Sequence, residues 1–348
     1  MKRAALDILH RGTVIPATPL ALDENRQFDE ARQRLLTRYY MEAGAGGIAT
    51  AVHSTQFEIR DPEVNLFETV LKTVASEIAA YEAETGKTVV RIAGVCGKIE
   101  QAVAEARLAR EIGYDAVLLS PGGLGDCDEA YLIERTKAVA AEMPVIGFYL
   151  QPSVGGRVFS YTYWEQICEI PNVVAIKCAP FNRYLTQDVV RACAFSSRSD
   201  EIALYTGNDD NIVVDLLTEY AFTKDGKTVT KRFAGGLLGH WCVWTHAVAE
   251  LFPRLQNQKA TPELLTLAAE ITDANGVIFD AAHNFAGCIP GIHEILHRQG
   301  LLKGIWCLNP KEVLSEGQSE EIDRICRMYP HLTDDYFVKE FLKRHESL

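Results

Sequence analysis

The sequence has no apolar run long enough to cross a bilayer and no excess of positive charge. A membrane-spanning helix needs about 20 consecutive apolar residues, and every apolar stretch here is interrupted sooner. The 35 lysines and arginines are outnumbered by 47 aspartates and glutamates, which gives a formal net charge of −12. Nucleic acids and anionic membranes are bound by basic surfaces. We therefore expect neither a nucleic-acid partner nor a membrane partner.

Paired cysteine motifs are also missing. The chain has nine cysteines, an odd number, and none of them forms a C-x-x-C pair. Most lie inside apolar runs, which is typical of thiols that fill a core in a reducing compartment. At the N-terminus, Asp7 and His10 interrupt the residues after the basic Met1-Lys2-Arg3, so we expect no signal peptide. These features predict a cytoplasmic protein.

Short β-branched runs alternate with amphipathic stretches along most of the chain. The predicted strands cover residues 13–18, 47–52, 88–95, 116–120, 145–149, 171–179, 202–205 and 234–238. Eight strands that are each followed by a helix imply parallel βαβ units, and eight units in about 250 residues fit a closed (β/α)8 TIM barrel. An open doubly wound sheet is the alternative fold, but no G-x-G-x-x-G motif follows the first strand.

We expect the barrel to occupy residues 1–258 and to carry a hairpin insertion near 223–232. The Asp225-Gly226 pair between short β-branched runs is typical of a tight hairpin turn. From about Pro262 onward only helices are predicted, over residues 262–283, 291–299, 318–329 and 334–346. Residues 259–348 are therefore expected to form a C-terminal all-helical extension.

A lysine near the end of the sixth predicted strand is the first candidate for chemistry. The run 171–179 is short, apolar and β-branched, which indicates a buried parallel strand, and Lys177 is its one charged residue. Burial of an unpaired ammonium group is costly and usually lowers its pKa, and a neutral amine can attack a carbonyl to form a Schiff base. The alternative is that Lys177 extends from the strand end to water.

Polar residues follow several other predicted strands. In a TIM barrel the active site lies at the carboxyl ends of the strands. Those ends carry Thr18, His53-Ser54-Thr55, Ser120, Tyr149, Lys177, Gly207-Asn208-Asp209 and Gly239-His240. A lysine can attack a carbonyl group, a Ser-Thr pair can hold a carboxylate, and a tyrosine hydroxyl can shuttle a proton. The pattern indicates a site for a carbonyl compound.

Over roughly residues 12 to 325 the sequence resembles the dihydrodipicolinate synthase / N-acetylneuraminate lyase family of class I, Schiff-base aldolases. The resemblance rests on motifs in a fixed order along the barrel: Thr18-Pro19, Ser54-Thr55, Phe148-Tyr149-x-x-Pro152, Ala175-Ile176-Lys177 and Gly207-Asn208-Asp209. Tyr149 precedes Lys177 by 28 residues, which is the spacing that the family keeps.

The resemblance implies a role for each of the matching residues. Lys177 would form an imine with pyruvate or another 2-oxo acid or sugar acid, and Tyr149 would relay protons. Ser54 and Thr55 would hold the substrate carboxylate, and the further substrate contacts would be Thr18, Gly207, Asn208 and Gly236. No cofactor and no metal are implied. The partner would be a small-molecule substrate, and the chain would form a homo-oligomer, a dimer or a tetramer.

The sequence departs from the family pattern where the substrate would be recognised. In the G-[ST]-T-G-E loop the two glycines are replaced by His53 and Gln56, and Phe57 precedes Glu58. Val154 replaces the arginine with which the synthase binds its substrate, and Arg157 is the nearest candidate to substitute for it. Gly122-Gly123 stands where the synthase lends a tyrosine to its neighbour. We therefore expect an aldolase or dehydratase with another 2-oxo acid, in which His53 and His240 contact the substrate.

Two other functions compete with this prediction. His293-Glu294-Ile295-Leu296-His297 matches the H-E-x-x-H signature of zinc hydrolases, although no third ligand follows at a recognised spacing. A non-catalytic barrel that binds small molecules is the third hypothesis, since a fold does not determine a function.

Overall fold

Eight parallel strands alternate with helices in the computed structural model, which describes residues 1–256 and 258–345. Residues 346–348, at the end of the predicted helical extension, lie outside the described residues. The barrel strands are β1 Val14–Pro16, β2 Gly47–Thr50, β3 Val90–Val95, β4 Ala116–Leu119, β5 Val145–Leu150, β6 Val173–Ala179, β7 Ala203–Thr206 and β10 Phe233–Leu238.

These eight strands form a single sheet in the order β1-β10-β7-β6-β5-β4-β3-β2. Next to strands β1 and β2, a parallel bridge joins Ala17 to Ala49. The predicted (β/α)8 barrel is therefore confirmed, and the strands lie where the sequence predicts them to within two or three residues.

A helix follows each of the eight barrel strands, as the sequence predicts. These helices are α2 Glu30–Glu42, α3 Phe67–Thr85, α4 Ile99–Ile112, α5 Glu129–Ala140, α6 Tyr161–Glu169, α7 Arg183–Phe195, α8 Ile212–Leu217 and α9 Thr245–Leu255. Asp29, Asp128, Ser160 and Asn182 each cap a helix by accepting a hydrogen bond from a backbone N–H of its first turn. The helices after the barrel are α10 Pro262–Ile278, α11 Cys288–Arg298, α12 Gln318–Met328 and α13 Asp335–Arg344.

One helix was not predicted from the sequence. Helix α1 covers Arg3–Arg11 and buries Ala5 and Leu9. It has no side-chain cap at its start, but Ala5 and Leu9 lie one turn apart on its buried face and Gly12, with positive φ, ends it.

A two-stranded antiparallel hairpin precedes the last barrel strand. Strands β8 Tyr220–Lys224 and β9 Lys227–Lys231 are joined by Asp225 and Gly226, both with positive φ. Two residues with positive φ match the right-handed twist of the hairpin strands, which explains the Asp-Gly pair.

The described residues group into two compact units, each discontinuous in sequence. Unit 1 comprises Met1–Thr13, Val90–Leu237 and Leu255–Ala268. Unit 2 comprises Val14–Val89, Leu238–Arg254 and the chain from Ala269 onward. The boundary at residue 258 between barrel and extension stays a prediction. No helix among the described residues combines the length and the apolar character that a membrane span requires.

Candidate active site

Lys177 lies in β6, within unit 1, and its side chain is only 8% exposed. Among the described residues it is the one lysine that is buried. Side chains alternate between the two faces of a strand, so Lys177 shares a face with Ala175 and Ala179. The outer face of β6 carries Cys178, whose burial raises its thiol pKa. Lys177 therefore points towards the inside of the barrel.

The inner face around Lys177 is formed by aromatic rings and small residues. The Nζ atom lies 4.5 Å from the centroid of the Phe148 ring. In the sheet, Lys177 pairs with Phe148 of β5 and with Tyr205 of β7. Gly207 allows a close approach, since a Cβ atom there would lie 2.6 Å from Cε of Lys177. Phe148, Tyr205 and Gly207 thus surround the Lys177 side chain.

The pairing of β5 with β6 changes register by one residue. Val145 pairs with Val173, an offset of 28 residues, but Ile146 pairs with Ala175, an offset of 29. Val174 is the extra residue of this irregularity. A shift of one residue moves every following side chain to the opposite face. As a result Phe148, and not Tyr149, lies beside Lys177.

Tyr149 therefore faces the helical layer. It pairs with Cys178, and its ring lies 5.2 Å from the Trp164 ring and 5.3 Å from the Phe159 ring. Its hydroxyl oxygen accepts a hydrogen bond of 3.1 Å from the backbone N–H of Phe159. Burial raises the pKa of the Tyr149 hydroxyl. The structure does not bring Tyr149 together with Lys177, although the sequence spacing predicts that it should.

Asn208 also belongs to the helical side of the sheet. Its Nδ2 donates to Oδ2 of Asp215 at 2.9 Å and to Oγ1 of Thr186 at 3.2 Å. Its Oδ1 accepts from the backbone N–H of Phe181 at 3.1 Å. These three bonds occupy the buried amide, so its contacts are structural, whereas the preceding residue Gly207 is the one that approaches Lys177.

Asp215 is the centre of this polar network and is completely buried. Besides Asn208, its carboxylate accepts hydrogen bonds from Thr206, Asn211 and Tyr220 and pairs with Arg183 at 3.0 Å. A buried carboxylate is stable when several donors satisfy it. Gly236 pairs with Thr206, so it too lies on the face opposite to Lys177.

Two loops at the carboxyl ends of β4 and β5 lie near the inner face. Leu119, the last residue of β4, pairs with Gly147, and Gly147 faces helix α6. Ser120 follows Leu119 directly and therefore lies on the opposite face of the sheet. Alternation therefore places the buried Ser120 on the Lys177 face. The Ser120 Oγ accepts a hydrogen bond of 3.1 Å from the backbone N–H of Gly122.

Arg157, the predicted substitute for the missing arginine, connects the same two loops. Its Nη1 donates to the backbone carbonyls of Cys127 and Leu124, and its guanidinium carbon lies 5.6 Å from the Phe159 ring centroid. These contacts tie the segment after β5 to the segment after β4. Val154, which replaces the family arginine in sequence, belongs to a short turn before Gly155.

In unit 2 the hydroxyls of Ser54 and Thr55 are already engaged. Ser54 Oγ donates to the carbonyl of Ala17, and Thr55 Oγ1 donates to the carbonyl of Thr18 at 2.6 Å. Thr18 itself is fully buried, and its Oγ1 has no hydrogen-bond partner among the described residues.

The turn His53–Thr55 lies between two residues with positive φ, Ala51 at 60° and Gln56 at 67°. Gln56, which stands in place of a glycine of the family loop, therefore adopts a positive φ that glycine adopts more readily. Its Oε1 accepts a hydrogen bond of 2.6 Å from the backbone N–H of Leu308, and this contact helps to hold the strained conformation. His53 is half-buried with its ring 6.1 Å from the Phe57 ring.

His240, at the end of β10, is buried within unit 2. Burial lowers the pKa of its imidazole to about 4, against the opposing effect of a hydrogen bond with Asn275. At neutral pH the side chain is therefore uncharged. A neutral imidazole can exchange hydrogen bonds with a substrate but cannot neutralise a carboxylate.

The H-E-x-x-H segment lies on helix α11, also within unit 2. His293 is 1% exposed, and burial lowers its pKa to about 4. The Glu294 carboxylate pairs with Arg298 at 2.7 Å, and the Nδ1 atom of His297 lies 3.2 Å from the carbonyl of Leu302. The described part of the chain contains no group of three His, Cys, Asp or Glu side chains arranged to hold a metal ion. These contacts give the motif a structural explanation.

Comparison with known proteins supports the resemblance seen in the sequence. A 4-hydroxy-tetrahydrodipicolinate synthase from Staphylococcus saprophyticus is 29% identical over 203 residues, which is 57% of this chain. The match spans 62% of that relative, less than two thirds of its length.

Two crystal structures share the fold over nearly their whole length. An N-acetylneuraminate lyase from Fusobacterium nucleatum has a TM-score of 0.71 and 16% identity, covering 92% of this chain and 99% of its own. A chloride-inhibited dihydrodipicolinate synthase from Acinetobacter baumannii, complexed with pyruvate, has a TM-score of 0.73 and 19% identity, covering 91% and 98%. At these identities the likeness establishes the fold. The model of the dihydrodipicolinate synthetase family, however, matches residues 11–327, and the chain belongs to that family.

Proposed function

We propose that this protein is a lyase that forms a Schiff base between Lys177 and a 2-oxo acid. The observation that carries the proposal is the burial of Lys177 on the inner face of β6. A lysine held inside the barrel can act as the nucleophile that attacks a carbonyl carbon. Members of the same family are named as synthases and lyases.

The chemistry follows from an amine held beside a carbonyl. The Nζ atom attacks C2 of the 2-oxo acid, and the resulting carbinolamine loses water to give an iminium ion. Loss of a proton or of a carbon fragment at C3 then yields an enamine, because the iminium accepts the electron pair. In an aldolase the enamine carbon C3 forms a bond to the carbonyl carbon of an aldehyde, whose oxygen takes up a proton. In a dehydratase the enamine expels the hydroxyl group on C4, which leaves as water after protonation. Hydrolysis of the iminium ion then releases the product and restores the Lys177 amine.

Proton transfer in these steps needs a group on the Lys177 side of the sheet. The resemblance assigns this role to Tyr149, but register places its ring among Phe159 and Trp164. Ser120 shares the inner face with Lys177, and we propose it as the hydroxyl that assists proton transfer. The carboxylate-binding role of Ser54 and Thr55 stays a prediction.

Borohydride trapping tests the proposal directly. The protein is incubated with pyruvate and with other 2-oxo acids, reduced, and digested for mass spectrometry. We expect one of these acids to add its reduced mass to the peptide that carries Lys177, and no label in Lys177→Ala. Lys98→Ala is the matched control, since Lys98 is an exposed lysine of the same unit and pairs with Asp126.

Two results would contradict the proposal. The first is the absence of label from all 2-oxo acids, which would favour a barrel that binds without catalysis. The second is a label that persists in Lys177→Ala. Light scattering of the intact chain measures its molar mass in solution and so tests the predicted homo-oligomer separately.

A further inference from the structure

A buried arginine on helix α5 contacts the segments that follow two of the barrel strands. Arg135 is 2% exposed. Its Nε donates to the carbonyl of Gly97 at 2.7 Å, and its Nη2 donates to the carbonyl of Ser120 at 3.0 Å. Gly97 lies two residues after β3, and Ser120 directly follows β4. The guanidinium therefore joins two carboxyl ends of neighbouring strands within unit 1.

This arginine brings a positive charge into the protein without an acidic partner. Both of its hydrogen-bond acceptors are neutral carbonyls, and it forms no ion pair within the part of the chain that the structure describes. Burial lowers the pKa of Arg135, but a guanidinium in a protein stays protonated. A buried charge without a counter-ion costs stability, whereas a neutral side chain could donate to a carbonyl at a smaller cost. Stability alone therefore does not explain the arginine.

The contact with Arg135 fixes the backbone at the point where β4 ends. The N–H of Ser120 donates to the carbonyl of Val95 at 2.8 Å, and the carbonyl of Ser120 accepts from Arg135. Pro121 follows and has no N–H, so the hydrogen-bond ladder cannot continue through it. Because its N–H and its carbonyl are both bound, Ser120 keeps its hydroxyl on the face that it shares with Lys177.

We propose that Arg135 is a positioning residue for the Schiff-base chemistry at Lys177. It acts through Ser120, because the guanidinium holds the Ser120 carbonyl and so keeps the hydroxyl in place to assist proton transfer at C3 of the 2-oxo acid. Arg135 itself touches no reacting atom, since α5 belongs to the outer ring of helices. The inference rests on the proposed function, in which Lys177 forms the imine and Ser120 assists proton transfer.

Arg135→Lys tests the inference, because an ammonium group keeps the charge but lacks the fixed fork of donors that joins the two carbonyls. We expect deuterium exchange at C3 of the 2-oxo acid that labels Lys177 to slow at least about tenfold. Borohydride labelling of Lys177 should change less than about threefold, because attack of the amine on C2 does not involve the proton on C3. If Arg135→Lys does not fold, Arg135→Gln, which buries no charge, takes its place with the same expectations.

Arg198→Lys is the matched control. Arg198 also belongs to unit 1 and also donates to backbone carbonyls, those of Ile170 and Val173, but Val173 lies at the amino end of β6. Its replacement should lower stability towards urea, as Arg135→Lys does, and should change exchange at C3 less than about twofold. Equal losses of exchange in the two variants would overturn the inference.

A double-mutant cycle shows whether Arg135 acts through Ser120. Ser120→Ala should slow exchange at C3 at least about tenfold, and the addition of Arg135→Lys should slow it less than about threefold further. A purely structural arginine predicts instead that the two effects multiply, or that labelling and exchange fall together. Either of these results overturns the inference.

The labelling experiment separates the inference from the proposed function. If the unmodified protein takes no label from any 2-oxo acid, the proposed function fails and the inference fails with it. If Lys177 is labelled but Arg135→Lys or Ser120→Ala leaves exchange at C3 unchanged, the inference alone is overturned.

Discussion

The two faces of strands β5, β6 and β7 carry different kinds of chemistry. The inner face holds Lys177 among Phe148, Tyr205 and Gly207. The outer face holds Asp215 and its donors, where the buried polar atoms are paired with one another. Satisfied polar groups stabilise a fold, whereas a lysine buried inside a barrel can be retained for reactivity. The comparison separates residues that support the barrel from the residue that we propose to react.

The test with the largest expected effect fills the space beside Lys177. In Gly207→Ala the new methyl group would lie 2.6 Å from Cε of Lys177 and 2.8 Å from Cβ of Ala179. Neither contact can be kept, so the lysine must move and the strand must adjust. We expect borohydride labelling of Lys177 by its 2-oxo acid to slow about 100-fold, equivalent to about 2.7 kcal/mol. Quantitative mass spectrometry of the labelled peptide measures the rate.

Gly125→Ala is the control for that variant. Gly125 lies in the loop after β4, and a Cβ atom there would meet no atom within 4 Å. Its labelling rate should match that of the unmodified protein. Equal rates in Gly207→Ala and Gly125→Ala would show that the inner face is not tightly packed around Lys177.

The second test removes a polar group from the outer face. Asn208→Ala breaks the hydrogen bonds to Asp215, Thr186 and Phe181, and it leaves buried partners unsatisfied. We expect the free energy of unfolding to fall by about 2 kcal/mol, measured by urea denaturation. Labelling of Lys177 under native conditions should change less than threefold, because Asn208 lies away from the amine.

Asn211→Ala provides the comparison within the same network. Asn211 is half-buried and makes a single side-chain bond to Asp215, at 2.8 Å. Its loss should cost about half as much stability as the loss of Asn208. If Asn208→Ala instead raises the concentration of 2-oxo acid needed for half-maximal labelling tenfold without loss of stability, Asn208 is a substrate contact as the resemblance implies.

Much of the inner face could be predicted from the sequence, because the strands and helices alternate and their boundaries are clear. The burial of Lys177 followed from the β-branched run around it, and Gly207 from its position after the next strand. The orientation of Tyr149 could not be predicted. Strands β5 and β6 pair with an offset of 28 residues at Val145 and Val173, which equals the spacing of Tyr149 from Lys177. After that pair the offset is 29, because Val174 is an extra residue in β6. A single irregularity in register cannot be recognised from the hydrophobic periodicity of the sequence. It nevertheless moves each later side chain to the opposite face of the sheet.

The smallest expected effect on activity comes from Tyr149→Phe. This variant tests whether Tyr149 faces the helices, as the strand register indicates, or acts beside Lys177, as the sequence spacing predicts. The change removes the oxygen that accepts from the N–H of Phe159 and leaves the ring packed on Trp164. An unpaired buried N–H should lower the free energy of unfolding by about 1 kcal/mol. Enamine formation, followed by deuterium exchange at C3 of the 2-oxo acid, should slow less than threefold. Ser120→Ala, on the inner face, should slow the same exchange at least tenfold. The opposite ranking, with exchange lost in Tyr149→Phe and kept in Ser120→Ala, would mean that Tyr149 turns inward during the reaction. The hydrogen bond to Phe159 would then belong to the substrate-free protein alone.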